Sequence, residues 1–222
     1  MKKTGRTPPL GLRQKNKLDK LRRIKSAAAE LFSKKGFDEA TTRDIANRAH
    51  VGKGTIFLYA KDKRALVFLL YDEELNTIRS NALKRIKPDS PPLEQLVSML
   101  SVFYEEFAKN VVLSRIMLKE LLFYQGPHEK DHRPHGLRVI FDIAELVSQA
   151  QKNGSIGSTE DPFWIANYIY NTHQGALRAW LWHDDPKVAE GVAALRRLLF
   201  LVFQGLESVT SERNDRKPKL VS

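Results

Sequence analysis

The residues of this 222-residue chain best suited to chemistry are hydrogen-bond donors rather than nucleophiles. They gather in "HVGKGTIFLYAKDK", where Lys53 and Thr55 stand among small and apolar residues. Cationic and hydroxyl side chains at such spacing suit phosphate oxygens and base edges, and the Thr55 methyl and Leu58 suit a thymine methyl. Gly52 and Gly54 keep bulk off the backbone where it must approach a partner closely. Catalytic constellations are missing. The chain has no cysteine, hence no thiolate nucleophile or thiolate metal site. It has no phosphate-cradling glycine loop, nucleophile elbow or metalloprotease helix. Glu105–Glu106 and Asp184–Asp185 are adjacent and diverge on a helix, so they read as surface. His128, His132 and His135 fall within eight residues beside Glu129 and Asp131. Pro134 is expected to break the helix that would align them, so a solvated interhelical loop is preferred over a metal site. No cofactor, no metal and no enzyme activity is expected.

Charge sharpens the choice of partner. Residues 1–70 hold 18 Lys/Arg against 6 Asp/Glu, whereas the other 152 hold 19 against 20. The whole excess of the +11 net charge therefore lies in the first third. A solvated face mixes both signs, so this asymmetry implies a polyanion, with double-stranded DNA ahead of an anionic membrane surface. No run of 18 apolar residues is present, so no membrane span is expected, and a basic start without an apolar segment behind it is no signal peptide. A reducing cytoplasm is the expected compartment.

These donors need helices to position them. Residues 1–16 read as a basic disordered arm. Apolar positions from Leu18 through Leu21, Ile24, Ala28, Leu31 and Phe32 make a helical stripe that Gly36 ends in a left-handed conformation. Thr41 and Asp44 form a capping box opening a second helix. A third spans about Lys53 to Tyr59, and Asp62 caps a fourth. Two short helices joined by a tight turn and propped between longer ones describe a helix-turn-helix. The stretch "IFLY" is then a short helix with one side in the core and one turned outward. Further helices are expected at about 92–110, 112–125, 135–152, 161–183 and 187–208.

The run "IKSAAAELFSKKGFDEATTRDIANRAHVGKGTIFLYAKDKRAL" resembles the DNA-binding domain of the tetracycline-repressor family of bacterial transcriptional regulators. The likeness rests on "A-x-x-L-F-x-x-x-G-F", "T-T-x-x-I-A" and "V-x-x-G-T-I" in combination. It implies an all-α protein: an N-terminal three-helix helix-turn-helix DNA-binding domain, then an α-helical ligand-binding and dimerisation domain. The expected boundaries are an arm at 1–16, the helix-turn-helix at 17–68, the regulatory domain at 69–210 and a tail at 211–222. Contacts to DNA are expected from Thr42, Arg43, Lys53, Gly54, Thr55, Phe57, Leu58, Tyr59 and Lys63. His50 stands where the family usually has glycine, and Phe57 where tyrosine is common. Tyr59 is expected to supply the phosphate hydrogen bond that Phe57 lacks.

In the other two thirds, "FWIANYIYNTHQGALRAWLW" and "VAALRRLLFLVFQGL" are apolar on most faces. Such helices are buried on both sides, here by their own core and by a second chain. A homodimer on a palindromic operator follows. The resemblance also implies a pocket for a small apolar or aromatic inducer, lined by Phe103, Phe107, Met117, Phe123, Tyr124, Phe141, Trp164 and Tyr168 and oriented by His173 or Arg178. The expected function is a ligand-responsive regulator, most often a repressor. The alternative is an architectural protein that binds DNA without sequence preference and senses nothing.

Overall fold

A computed structural model describes residues 11–121 and 129–206. Among them are nine helices and no strand: α1 (Leu12–Glu39), α2 (Thr42–Arg48), α3 (Lys53–Phe57), α4 (Lys63–Arg85), α5 (Pro92–Ala108), α6 (Val111–Leu121), α7 (Glu129–Lys152), α8 (Pro162–Leu181) and α9 (Val188–Leu206). The all-α fold expected from sequence is the one found.

Local signals place most helix ends. In the capping box the Asp44 amide donates to Thr41 Oγ1 at 3.1 Å and the Thr41 amide to Asp44 Oδ2 at 3.4 Å. Asp62 accepts from the Ala65 amide at 2.7 Å, and Asp161 from that of Phe163 at 2.8 Å. Gly36 interrupts α1 with φ +80°, which only glycine adopts at no steric cost.

Two boundaries differ from expectation. Helix α1 reaches back to Leu12, into the segment read as a disordered arm. The apolar stripe begins only at Leu18, but Leu12, Arg13, Gln14 and Lys15 are good helix formers and nothing between Gly11 and Leu18 breaks them. Helix α7 runs through Pro134 instead of starting after it, so the histidine segment from Glu129 is helix, not loop. Proline's fixed φ is helical, and six residues into a helix its missing N–H leaves only one carbonyl near the start without a partner.

The residues fall into two compact units, 1–74 with 112–129, and 75–111 with 130–222. The first is thus discontinuous, taking in most of α6. Its core is Ile24, Ala28, Phe32, Ile45, Ile56 and Leu66, all essentially without solvent contact. Each large member contributes about 1.5–3 kcal/mol of apolar burial. In the second unit α9 packs on α5 and α8. Close approach there depends on Gly191, where a Cβ would lie 2.6 Å from the Tyr104 ring and 2.7 Å from that of Trp180. Arg79 grips Asp142 through two 2.6 Å bonds that join α4 to α7 within this unit.

Candidate nucleic-acid interface

Helix α3 is five residues long, and its side chains divide sharply between core and solvent. Ile56 is fully buried, whereas Phe57 is 50% and Leu58 83% exposed. Lys53 and Gly54 are exposed and Thr55 half-buried. A Cβ on Gly54 would meet nothing within 4 Å, so the protein's own packing does not require glycine there. On α2, Arg43 is exposed and Thr42 half-buried. The Thr41 hydrogen bonds hold the Asp44 carboxyl below the usual carboxylate range, which keeps the cap ionised.

The turn between α2 and α3 is fixed from outside the motif. His50 takes φ 53°, a left-handed conformation that costs a non-glycine residue strain. Arg23 Nη1 donates to the Ala49 carbonyl at 3.1 Å and the His50 carbonyl at 3.3 Å, satisfying the end of α2 and holding that turn. Sequence reading missed Arg23. Nothing local in "LRRIK" signals a bond to residues 26 and 27 positions away.

Of the expected DNA contacts, Tyr59 has its one donor occupied inside the unit, and Lys63 has one of its three. The Tyr59 hydroxyl donates to the Lys17 carbonyl at 3.0 Å, so it ties the end of α3 to α1 and has no donor left for a phosphate. Lys63 Nζ donates to the Asp38 carbonyl at 2.9 Å and sits 4.5 Å from the Phe37 ring centroid, so it closes the α1–α2 corner.

The residues expected to line a ligand pocket differ in burial and fall in both units. Phe103, Phe107 and His173 are buried in the second unit, and Met117 is buried in the first. Phe123 and Tyr124 lie outside the described residues, as does His128. Phe141, Trp164 and Tyr168 are 59%, 65% and 63% exposed, and Arg178 is also at the surface. Instead, Trp164 and Tyr168 join Glu160, Ile165, Val202 and Leu206 around an open apolar groove on α8 and α9. Leu198, Phe200 and Leu201 extend the exposed apolar surface of α9. No cluster of three metal-ligating side chains occurs among the described residues.

His173 is the buried polar group that stands out. Its ring lies 5.3 Å from that of Phe103 and 5.8 Å from that of Tyr104, and neither nitrogen has a hydrogen-bond partner among the described residues. The Tyr104 hydroxyl is likewise buried and unpartnered. Complete burial pushes the His173 pKa down to about 3, so the imidazole is neutral near pH 7.

Comparison with known proteins agrees with this geometry. Residues 24–70 match the pattern described as bacterial regulatory proteins, tetR family. The chain is 33% identical to the HTH-type transcriptional regulator HbdR of Aromatoleum sp. (strain CIB), over 76% of this chain and 74% of that protein. It is 28% identical to the fatty acid metabolism regulator protein of Bacillus subtilis (strain 168), over 87% of this chain and 99% of that one. The crystal structure of the transcriptional regulator FadR from Bacillus subtilis in complex with stearoyl-CoA superposes with a TM-score of 0.69 at 21% identity, covering 84% of this chain and 99% of that chain. These relatives are regulators, and no helix among the described residues is long and apolar enough to cross a membrane.

Proposed function

Because the chain belongs to the tetR family of bacterial regulatory proteins, we propose that it is a homodimeric transcriptional repressor, bound to a palindromic operator and released by a ligand with an apolar or aromatic part. The observation that carries this reading is the outward face of α3. Phe57 and Leu58 stand in solvent on a helix whose other side is sealed into the core by Ile56. One large apolar side chain exposed on a five-residue helix and another at its C-cap, with Lys53 and Arg43 also exposed, match a major-groove reading surface. Arg43, Lys53 and Thr55 are assigned to bases or phosphates, Thr42 to a phosphate, and Leu58 and Phe57 to apolar contact with bases. Gly54 leaves room for the DNA. Tyr59 holds the reading helix in place, and Lys63, with two N–H groups left, is assigned to a phosphate.

One short helix reads only a few base pairs, so useful specificity needs two. The apolar groove and the exposed Phe200 and Leu201 on α8 and α9 supply a face for the second copy. Trp164 and Tyr168 are assigned to that face rather than to a pocket. For the ligand, the stearoyl-CoA complex of the Bacillus subtilis regulator suggests an acyl thioester. Buried Phe103, Phe107 and His173 offer an apolar wall with one neutral hydrogen-bonding group. Ligand then shifts the population toward an arrangement of reading heads that misfits the operator.

Selection of bound duplexes from a random pool by the purified protein tests the proposal. Enrichment of a palindrome, with release on adding long-chain acyl-CoA, is the expected result. Recovery of no preferred sequence would leave only the non-specific architectural reading. A palindrome that no acyl-CoA releases would remove the ligand assignment and keep the rest.

A further inference from the structure

The cations of the first unit fall into two sets. Most are neutralised within it: Arg22 and Arg23 pair with Asp19, Lys25 with Glu73, Arg48 with Glu30 and Arg64 with Glu120. Among the described residues, those whose side chains have no hydrogen-bond or ion-pair partner are themselves grouped. Arg43, Lys53 and Lys61 surround the reading helix in sequence and are accounted for by it. The others, Arg13, Lys15, Lys17 and Lys20, all sit on the first turns of α1, and every residue from Gly11 to Lys20 is exposed.

Their spacing is informative. Arg13, Lys17 and Lys20 stand at i, i+4 and i+7, and the next position on that stripe, i+11, is Ile24. From Ile24 onward the stripe is core, continuing through Ala27, Ala28 and Phe32, all buried. One face of α1 is therefore apolar where it meets the unit and cationic where it overhangs. From Leu12 to Ile24 this overhang measures roughly 18 Å at 1.5 Å per residue. It also has a fixed position, because the Tyr59 hydroxyl bonds the Lys17 carbonyl at 3.0 Å and so anchors the overhang beside the end of α3. Three like charges in line on a rigid rod, beside a base-reading helix, fit a regularly charged rod. DNA presents one negative charge per roughly 1.7 Å of axis.

We infer that the first turns of α1 form a second DNA-contacting surface, in which Arg13, Lys17 and Lys20 grip the phosphate backbone flanking the base pairs read by α3. This rests on the reading of the chain as a DNA-binding regulator. The grip adds affinity and footprint length without sequence preference, since phosphate contacts carry none. Lys15 lies on the opposite side of the helix and takes no part.

The test compares the full-length protein with Arg13→Gln/Lys17→Gln/Lys20→Gln and with Lys84→Gln/Lys87→Gln/Lys152→Gln, which removes the same charge from the second unit. Binding to a random-sequence duplex is followed against salt, and binding to the selected palindrome against the length of flanking DNA. The α1 variant is expected to lose about 0.9 of salt slope per contact removed, up to roughly five for a dimer. Its affinity should no longer fall when the flanks are trimmed, as the unaltered protein's does. Equal slopes for the α1 variant and the unaltered protein, or an equal loss in the charge-matched control, would overturn the assignment. Because the slope is read on DNA of any sequence, it stands apart from whether a palindrome is selected at all. A circular dichroism melt matching the unaltered protein's confirms the fold of each variant, as expected for exposed helix positions accepting glutamine.

Discussion

Replacing His173 with leucine should stabilise the protein, and increasingly so as the pH falls. At neutral pH the buried imidazole keeps a donor and an acceptor unpaired, and leaving such groups unsatisfied costs about 1–3 kcal/mol. Leucine fills similar space without polar atoms, so His173→Leu should gain an amount in that range. The pH dependence follows from the pKa, which lies near 3 in the folded protein against an ordinary 6.5. The folded value is depressed, so the unfolded chain takes up the proton first, and stability falls as pH drops from 6.5 toward 3. Each unit of pH in that window removes about 1.36 kcal/mol, so at pH 4.5 the unaltered protein should have lost about 2.7 kcal/mol through this group alone. The variant lacks that loss. Urea unfolding of both proteins at pH 7.5, 6.5, 5.5 and 4.5 gives the difference directly, because the carboxylates common to both cancel. A difference that stays constant across the series would show that His173 is not buried neutral, and a marked loss at pH 7.5 would show that it is paired.

Arg23→Ala should lower stability by about 1–2 kcal/mol, less than the full worth of two charge-assisted bonds because Arg23 is partly exposed. It should also weaken operator binding by loosening the His50 turn, and an unchanged melt and affinity would remove Arg23 from that role. Gly191→Ala forces a methyl into the Tyr104 and Trp180 rings and should cost about 1–3 kcal/mol by calorimetry, with a neutral result refuting the close contact. Leu201→Glu places a charge on the exposed α9 face and should shift sedimentation from dimer to monomer with no change in the melt of isolated protomers. A dimer that persists would place the interface elsewhere.

What the sequence made legible was local. The Thr41–Asp44 box, the Gly36 break and the Asp62 cap act over two to three residues, and each was readable from spacing alone. Long-range pairing was not. Tyr59 carries the right donor for phosphate, but a partner 42 residues away already holds it. Periodicity likewise reports that a helix face is apolar without saying what covers it. Trp164, Tyr168 and Phe141 therefore looked like pocket lining, whereas Phe103 and His173, on the same kind of pattern, are truly enclosed. The early start of α1 escaped because its first turns are polar all round, leaving no apolar rhythm to read.

The placement of the three tryptophans makes the α8–α9 face visible by light. Trp180 is enclosed against Tyr104 and Gly191, with its indole N–H bonded to the Lys187 carbonyl at 2.8 Å, so its emission reports the interior of the fold. Trp182 is 90% exposed in the single chain and emits there as an indole in water. Trp164 alone stands on the apolar groove. Closing that groove would strip water from its ring and move its emission to shorter wavelength, while enclosed Trp180 provides a fixed reference. Dilution of the unlabelled protein thus becomes an optical titration of assembly.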